Sequence, residues 1–472
     1  MTAASKKQDM QAAVQLAEKA SDNGDCQAAL KIIDGQIASR QFADSTESTK
    51  SHIYWLGMVC AWRAKQWASA LRYSEAATRL PSADSEWWEV QLQLLSLTGK
   101  AEETVVAVEG LSRDKPDILN AIAFKTWGPA YRLLKDNTDL RRRLLKVLTS
   151  PRYMPKEPGA STASFHYAYA ILLAEGGDKA GAASDIAQID DPWLLKLITL
   201  DPRLRELLPK DFNMGDAVER HMARIREVAA AHAGAISPQL DVANDLLMLY
   251  KVNEALATLD AIDPRHASLE NFDDSKEQLN WWWDSRARAL ALLGRYDAAV
   301  DAYMQGQKHE EFSQPNISQT INLSELQLRF GRPADALKTL EPIVAGKISG
   351  SPFGLMQFHS NHGCANFQIG KVNDAAEDLN YLRDHVADAP AAFTSLLLCM
   401  GKIDDAAASL VKRLDTPDQR IEALMDLSDY LSPPPTYPAY PSERGLALLK
   451  ARPDVQAAIA RAGGTRKFNI AQ

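Results

Sequence analysis

The densest set of chemically able side chains in this sequence is His359-Ser360-Asn361-His362-Gly363-Cys364, with His385 downstream. On a helix His359 and His362 stand i, i+3, close enough to hold one metal ion between their imidazoles. Cys364 lies two positions past His362 and points well away, so a third ligand would have to come from a neighbouring element, such as His385. The plainer reading is preferred: polar residues filling helix-packing positions, with no metal and no cofactor expected. The carboxylate pairs Asp190-Asp191, Asp273-Asp274 and Asp404-Asp405 fall at turns. They suit helix caps better than paired acid and base chemistry. Gly99-Lys100 and Gly346-Lys347 continue with Ala and Ile, where a phosphate-binding loop needs Ser or Thr. No GxGxxG, HExxH, GxSxG or EF-hand loop occurs, and His309-Glu310-Glu311 lacks a second histidine. No catalytic residue is nominated, and a protein that is not an enzyme is expected.

The elements that would carry such residues are legible from Trp281 to Tyr303, WWWDSRARALALLGRYDAAVDAY. Trp283, Ala287 and Leu290 recur at the i, i+4, i+7 spacing of one helical face. Gly294 ends that helix, and Tyr296, Ala299, Val300 and Tyr303 resume a helical face beyond the turn. Ala299 is small where the two helices would cross. A hairpin like this cannot bury both faces alone and needs copies stacked beside it. Gly331, Gly370 and Gly401 follow Gly294 at intervals of 37, 39 and 31 residues, each with alanine five positions on (Ala336, Ala375, Ala406). Upstream, Gly24, Gly99 and Gly177 stand two periods apart, followed by Ala29, Thr104 and Ala182. The 117 residues from Gly177 to Gly294 suggest three further periods.

This pattern resembles the tetratricopeptide repeat, with Trp283, Ala287, Gly294, Tyr296, Ala299 and Tyr303 at its usual positions. Tyr54 to Ala77 is a second match, through Trp67 and Ala70, with Lys65 where glycine is usual; Trp88 to Pro116 is a third. The resemblance implies an all-α superhelix, a right-handed solenoid of helical hairpins, that binds a protein or extended peptide in a concave groove. Some members clamp an acidic peptide terminus with lysine and asparagine. This chain offers Val14, Trp55 and Glu89 in the corresponding stretches.

The parts expected are N-terminal repeats over 1–149, degenerate and irregular helical repeats over 150–265, and regular repeats over 266–431. A proline-rich strap and capping helices close the chain over 432–472. Ser85 and Ser442 are expected to cap helices. Prolines 192, 202 and 209 break the repeat, so an interruption is expected at about 190–240. In the groove, the first helix of each hairpin would present His52, Trp55, Val59 and Trp62, then Glu86, Glu89 and Gln93, then Trp281, Asp284 and Arg288. Three consecutive tryptophans cannot share one face, so Trp281 and Trp282 need a neighbouring hairpin or a ligand. Asp284 and Arg288 can also pair with each other.

A net charge of −8 speaks against nucleic acid or an anionic membrane as partner. No apolar run reaches the length of a membrane span. Cys26, Cys60, Cys364 and Cys399 form no CxxC and are read as isolated thiols packed in helices. The opening MTAASKKQDMQAAV has no apolar stretch after its charges and is not read as a signal peptide. The expected compartment is cytoplasmic, or periplasmic if a leader has been removed. The expected function is a non-catalytic binding scaffold. The alternative is a sensor or effector module that takes a ligand in the irregular middle and regulates a partner protein.

Overall fold

The structure, a computed structural model, describes residues 3–157, 159–262, 272–311 and 314–472. Among them it is all-α, with 27 α-helices and no strand beyond two isolated bridges. The boundary expected at 265/266 lies outside the described residues. The chain forms two compact units, Met1–Asp185 and Ile186–Gln472.

Both units are built from stacked helical hairpins, and the turn explains why. At Gly294 the backbone is left-handed (φ 73), the Gly294 amide donates to Ala291 and the Arg295 amide to Leu290. These two bonds satisfy carbonyls that the end of a helix leaves open. The same pair of bonds recurs at Gly24, Gly99, Gly177, Gly331, Gly370 and Gly401. Five residues past each turn the second helix crosses the first, and there Ala29, Ala182, Ala299, Ala336, Ala375 and Ala406 have no exposed surface. Thr104 fits the same place by donating its hydroxyl to the Lys100 carbonyl.

Two hairpins make this turn without glycine, at Lys65 (φ 56) and Tyr250 (φ 53), again with buried Ala70 and Ala255 five residues on. A side chain in the left-handed region costs about 1 kcal/mol or more. Lys65→Gly is therefore expected to stabilise the first unit by about 0.5–1 kcal/mol in urea unfolding, the glycine's extra freedom in the unfolded chain offsetting part of the gain. An unchanged midpoint would sink this account of the turn.

In the first unit, hairpins turn at Gly24, Lys65, Gly99 and Gly177. Between the last two lie the short helices Pro116–Ala121, Trp127–Leu133 and Thr138–Leu148. The stretch that reads as a linker is anchored to this unit by Tyr153, which is buried and whose hydroxyl accepts from Trp127 Nε1 at 2.8 Å. Asp84, not Ser85, caps the helix Ser85–Leu97, its carboxylate accepting from the Trp87 amide.

Among the described residues between Gly177 and Gly294 one such turn occurs, at Tyr250 in the second unit, where three periods would need two. Its prolines bound the helix Pro192–Leu200, and the single long helix Met214–Ala231 takes the place of a hairpin. Hairpins at Tyr250, Gly294, Gly331, Gly370 and Gly401 then follow. The stack turns back on itself. Helix Pro417–Leu427 packs against Pro192–Leu200, Arg205 Nη1 donates to the Gly463 carbonyl at 2.6 Å, and the Ala471 amide to Met248 at 2.7 Å.

The cysteines correct one expectation. Cys364 and Cys399 form a disulfide, with their Cα atoms 5.8 Å apart. They lie on the first helices of consecutive hairpins, Pro352–Gln368 and Pro390–Cys399, which stand side by side. Cys26 and Cys60 are free and buried. Burial, and then the neighbouring Cys60 thiol, push the Cys26 thiol above its ordinary range.

Candidate partner-binding surfaces

In the first unit the nominated residues lie on the first helices Glu47–Arg63 and Ser85–Leu97. Trp55 is 40% exposed although it is large and apolar. Its ring meets buried Trp87 edge-on at 5.4 Å, and Trp87 is fixed in turn by donating Nε1 to Ser51 Oγ. That rigid edge contact holds an aromatic face toward solvent, at little conformational cost to a partner. His52 is exposed one helical turn away and meets Glu18 of the preceding hairpin at 2.8 Å. Glu86 and Gln93 are exposed as well. Trp62 and Val59 are half-buried, Trp62 resting edge-on against Trp67 at 5.3 Å. Glu89 is committed structurally, accepting from the Ala123 amide at 2.8 Å.

The second unit uses its nominated residues differently. Trp282 is fully buried and donates Nε1 to the Leu259 carbonyl of the preceding hairpin. Trp283 is buried edge-on to it, and Trp281 is half-buried against the same core. Asp284 is buried, accepts from Asn322 Nδ2 at 2.8 Å and pairs with Arg288 at 3.0 Å. Arg288 reaches back to Asn244 Oδ1 at 2.6 Å. With Asn361 donating to Ser324 Oγ, these bonds tie four successive first helices together. Asp284 and Arg288 thus stitch neighbouring hairpins together.

The proline-rich strap was expected from the sequence, but not the face it crosses, which is this one. The proline-rich segment crosses it, held at every hairpin it passes. Leu431 accepts from Tyr250 Oη at 3.5 Å, and Thr436 Oγ1 donates to the Leu292 carbonyl at 2.7 Å. Tyr440 Oη donates to Asn361 Oδ1 at 3.0 Å, and Ser442 Oγ meets Ser395 Oγ at 3.1 Å. That contact uses the hydroxyl expected to cap a helix; Ser442 makes no cap bond. Arg329 is the hub. Its buried guanidinium donates to the Pro438 carbonyl at 3.0 Å and to both oxygens of Glu443, and it lies 4.5 Å over the Tyr437 ring. Beneath the segment is a cavity of ≈ 260 Å³ with Glu325, Gln357, Ser360, Thr394 and Asp426 among its walls. The segment is not one continuous extended run: a turn closes from Pro434 to Tyr437 and another from Tyr440 to Glu443.

No model of a known protein family matches the chain, and no curated protein matches it. Among solved structures, the yeast Tom70 crystal structure is similar at 11% identity and a TM-score of 0.36, covering 96% of this chain and 99% of that one. The Cut9–Hcn1 hetero-tetramer of the APC/C is similar at 13% identity and a TM-score of 0.31, with 96% and 89% covered. The likeness is one of helical architecture and carries no partner or activity.

The histidines are drawn to a carboxylate. His359 Nδ1 and His362 Nδ1 lie 2.7 and 2.8 Å from the two oxygens of buried Asp378, on the second helix of the same hairpin. A carboxylate only accepts, so each ring donates from Nδ1. Gly363 makes room, since a Cβ there would meet Asp378 Cβ at 2.9 Å. His385 is held apart by the Tyr381 ring, stacked between it and His359 at 4.1 and 3.8 Å. Among the described residues no three His, Cys, Asp or Glu side chains are arranged to hold a metal ion. Nor, among them, is any helix long and apolar enough to cross a membrane.

Proposed function

We propose that this chain is a non-catalytic scaffold that captures an extended peptide or protein partner on the first-helix face of its N-terminal hairpins. The observation that carries this reading is Trp55, an aromatic anchor held rigid by Trp87 yet open to solvent. Aromatic side chains so placed are common binding hot spots. His52 and Glu86 flank it and supply a polar rim, and half-buried Trp62 extends the apolar strip. A partner that suits this face offers an apolar side chain to Trp55 beside groups able to hydrogen-bond with imidazole and carboxylate.

The test is capture by wild type and by Trp55→Ala, read as affinity for whatever the wild type retains, with helical circular dichroism as the control for folding. Loss of about 2 kcal/mol of binding with unchanged helicity is expected. A variant that unfolds would make Trp55 a core residue, and one that binds as wild type would remove this face from the function.

A further inference from the structure

We propose that residues 436–443 of the second unit are an intramolecular stand-in for a partner peptide, and that the wall they cover reads a non-helical, turn-containing segment carrying two tyrosines followed by a carboxylate. This rests on the reading that first-helix faces of these hairpins bind peptides, and it adds the chemistry of the ligand for the second unit. The recognising groups are Arg329, Asn361 and the Leu292 carbonyl. Arg329 grips three features at once: the face of Tyr437, the backbone carbonyl of Pro438 and the carboxylate of Glu443. A guanidinium fork binding both oxygens of a carboxylate is a geometry that selects for that group. Asn361 accepts the phenol of Tyr440 while its own amide is committed to Ser324 and Ile321, so its carbonyl oxygen is fixed in place as an acceptor. The wall therefore presents a guanidinium that covers an aromatic face, donates to a backbone carbonyl and clamps a carboxylate, beside a fixed acceptor for a phenol.

The occupant is covalently attached but stands apart from the helical stack. It contributes no α-helix between Leu427 and Glu443, and the backbone bonds that close the hairpin turns beneath it run within each hairpin. Prolines 434, 438 and 441 remove amides that a helix would need, which keeps the segment available to a wall of side chains. A segment tethered at both ends has an effective concentration of order millimolar, so a partner peptide of the same chemistry competes only when abundant or when the strap is weakened.

The experiment uses the full chain and a fluorescent peptide of residues 432–445, SPPPTYPAYPSERG, followed by anisotropy. Wild type should take it up poorly. The strap-loosened variant Tyr437→Ser/Tyr440→Ser should take it up at least about tenfold more tightly, and adding Arg329→Gln should abolish the gain. Equal uptake by wild type and the loosened variant, none by either, or uptake indifferent to Arg329→Gln overturns the proposal. If the loosened variant loses its helical circular dichroism, wild type decides. Hydrogen exchange over 431–445 should quicken with excess peptide and not with a scrambled one, and unchanged exchange overturns the proposal. No residue is shared with the Trp55 test, so either reading can fail alone.

Discussion

Replacing both Cys364 and Cys399 with alanine is expected to destabilise the second unit by about 4 kcal/mol. The bridge closes a loop spanning 35 residues, one repeat in length, and removing it restores that freedom to the unfolded chain. In a stack whose units touch only their neighbours, the loss should concentrate where the bridge lies. Hydrogen exchange should therefore accelerate in helices Pro352–Gln368 and Pro390–Cys399 well before it changes in the Tyr250 hairpin. Peptide mapping without reductant should find Cys364 joined to Cys399, and Cys26 and Cys60 alkylated only after denaturation. Free thiols at all four positions, or a loss below about 1 kcal/mol in the double variant, would remove the bridge from the account of stability.

The hairpins were legible because their turn demands one backbone conformation and their crossing demands one small residue. Gly294 and Ala299 state both requirements in the sequence, and Lys65 and Tyr250 show the limit: a residue that merely tolerates the left-handed region leaves no mark. The same arithmetic would have paired the cysteines as neighbours without saying which pair is bonded. Cys26 and Cys60 are 34 apart and Cys364 and Cys399 are 35 apart, each about one period, which is the spacing that brings adjacent hairpins into contact. The nominated surface divided for a different reason. Helical phase names the residues on the first-helix face, but whether that face meets solvent depends on what returns to cover it. Trp55 stays open in its unit, whereas Asp284 and Arg288 are spent on Asn322 and Asn244. The strap's path is set by Arg329 meeting Glu443, 114 residues downstream, a contact with no local signature.

The Asp378 carboxylate gives the second large effect, and it carries a pH dependence with a definite sign. Burial alone pushes this carboxyl up; hydrogen bonds from His359 and His362 outweigh it and hold it below the ordinary carboxylate range. A carboxyl whose folded pKa is depressed stabilises the fold above its unfolded pKa of about 4 and loses that contribution as pH falls through the lower folded value. Asp378→Asn keeps the shape but offers one acceptor where two Nδ1–H groups need one each, and it turns an amide donor toward the other ring. The cost at pH 7 should be about 3 kcal/mol, typical of a buried charged acceptor lost from two donors. Hydrogen exchange in helices Pro352–Gln368 and Val372–Asp384, corrected for intrinsic rates, reads that difference locally. The gap between wild type and variant should begin to narrow only below about pH 4 and should close as pH falls through the lower folded value, where the wild-type carboxyl takes up its own proton. A gap that survives unchanged into that acid range, or one under about 0.5 kcal/mol at neutral pH, would show that the two histidines do not depend on this carboxylate.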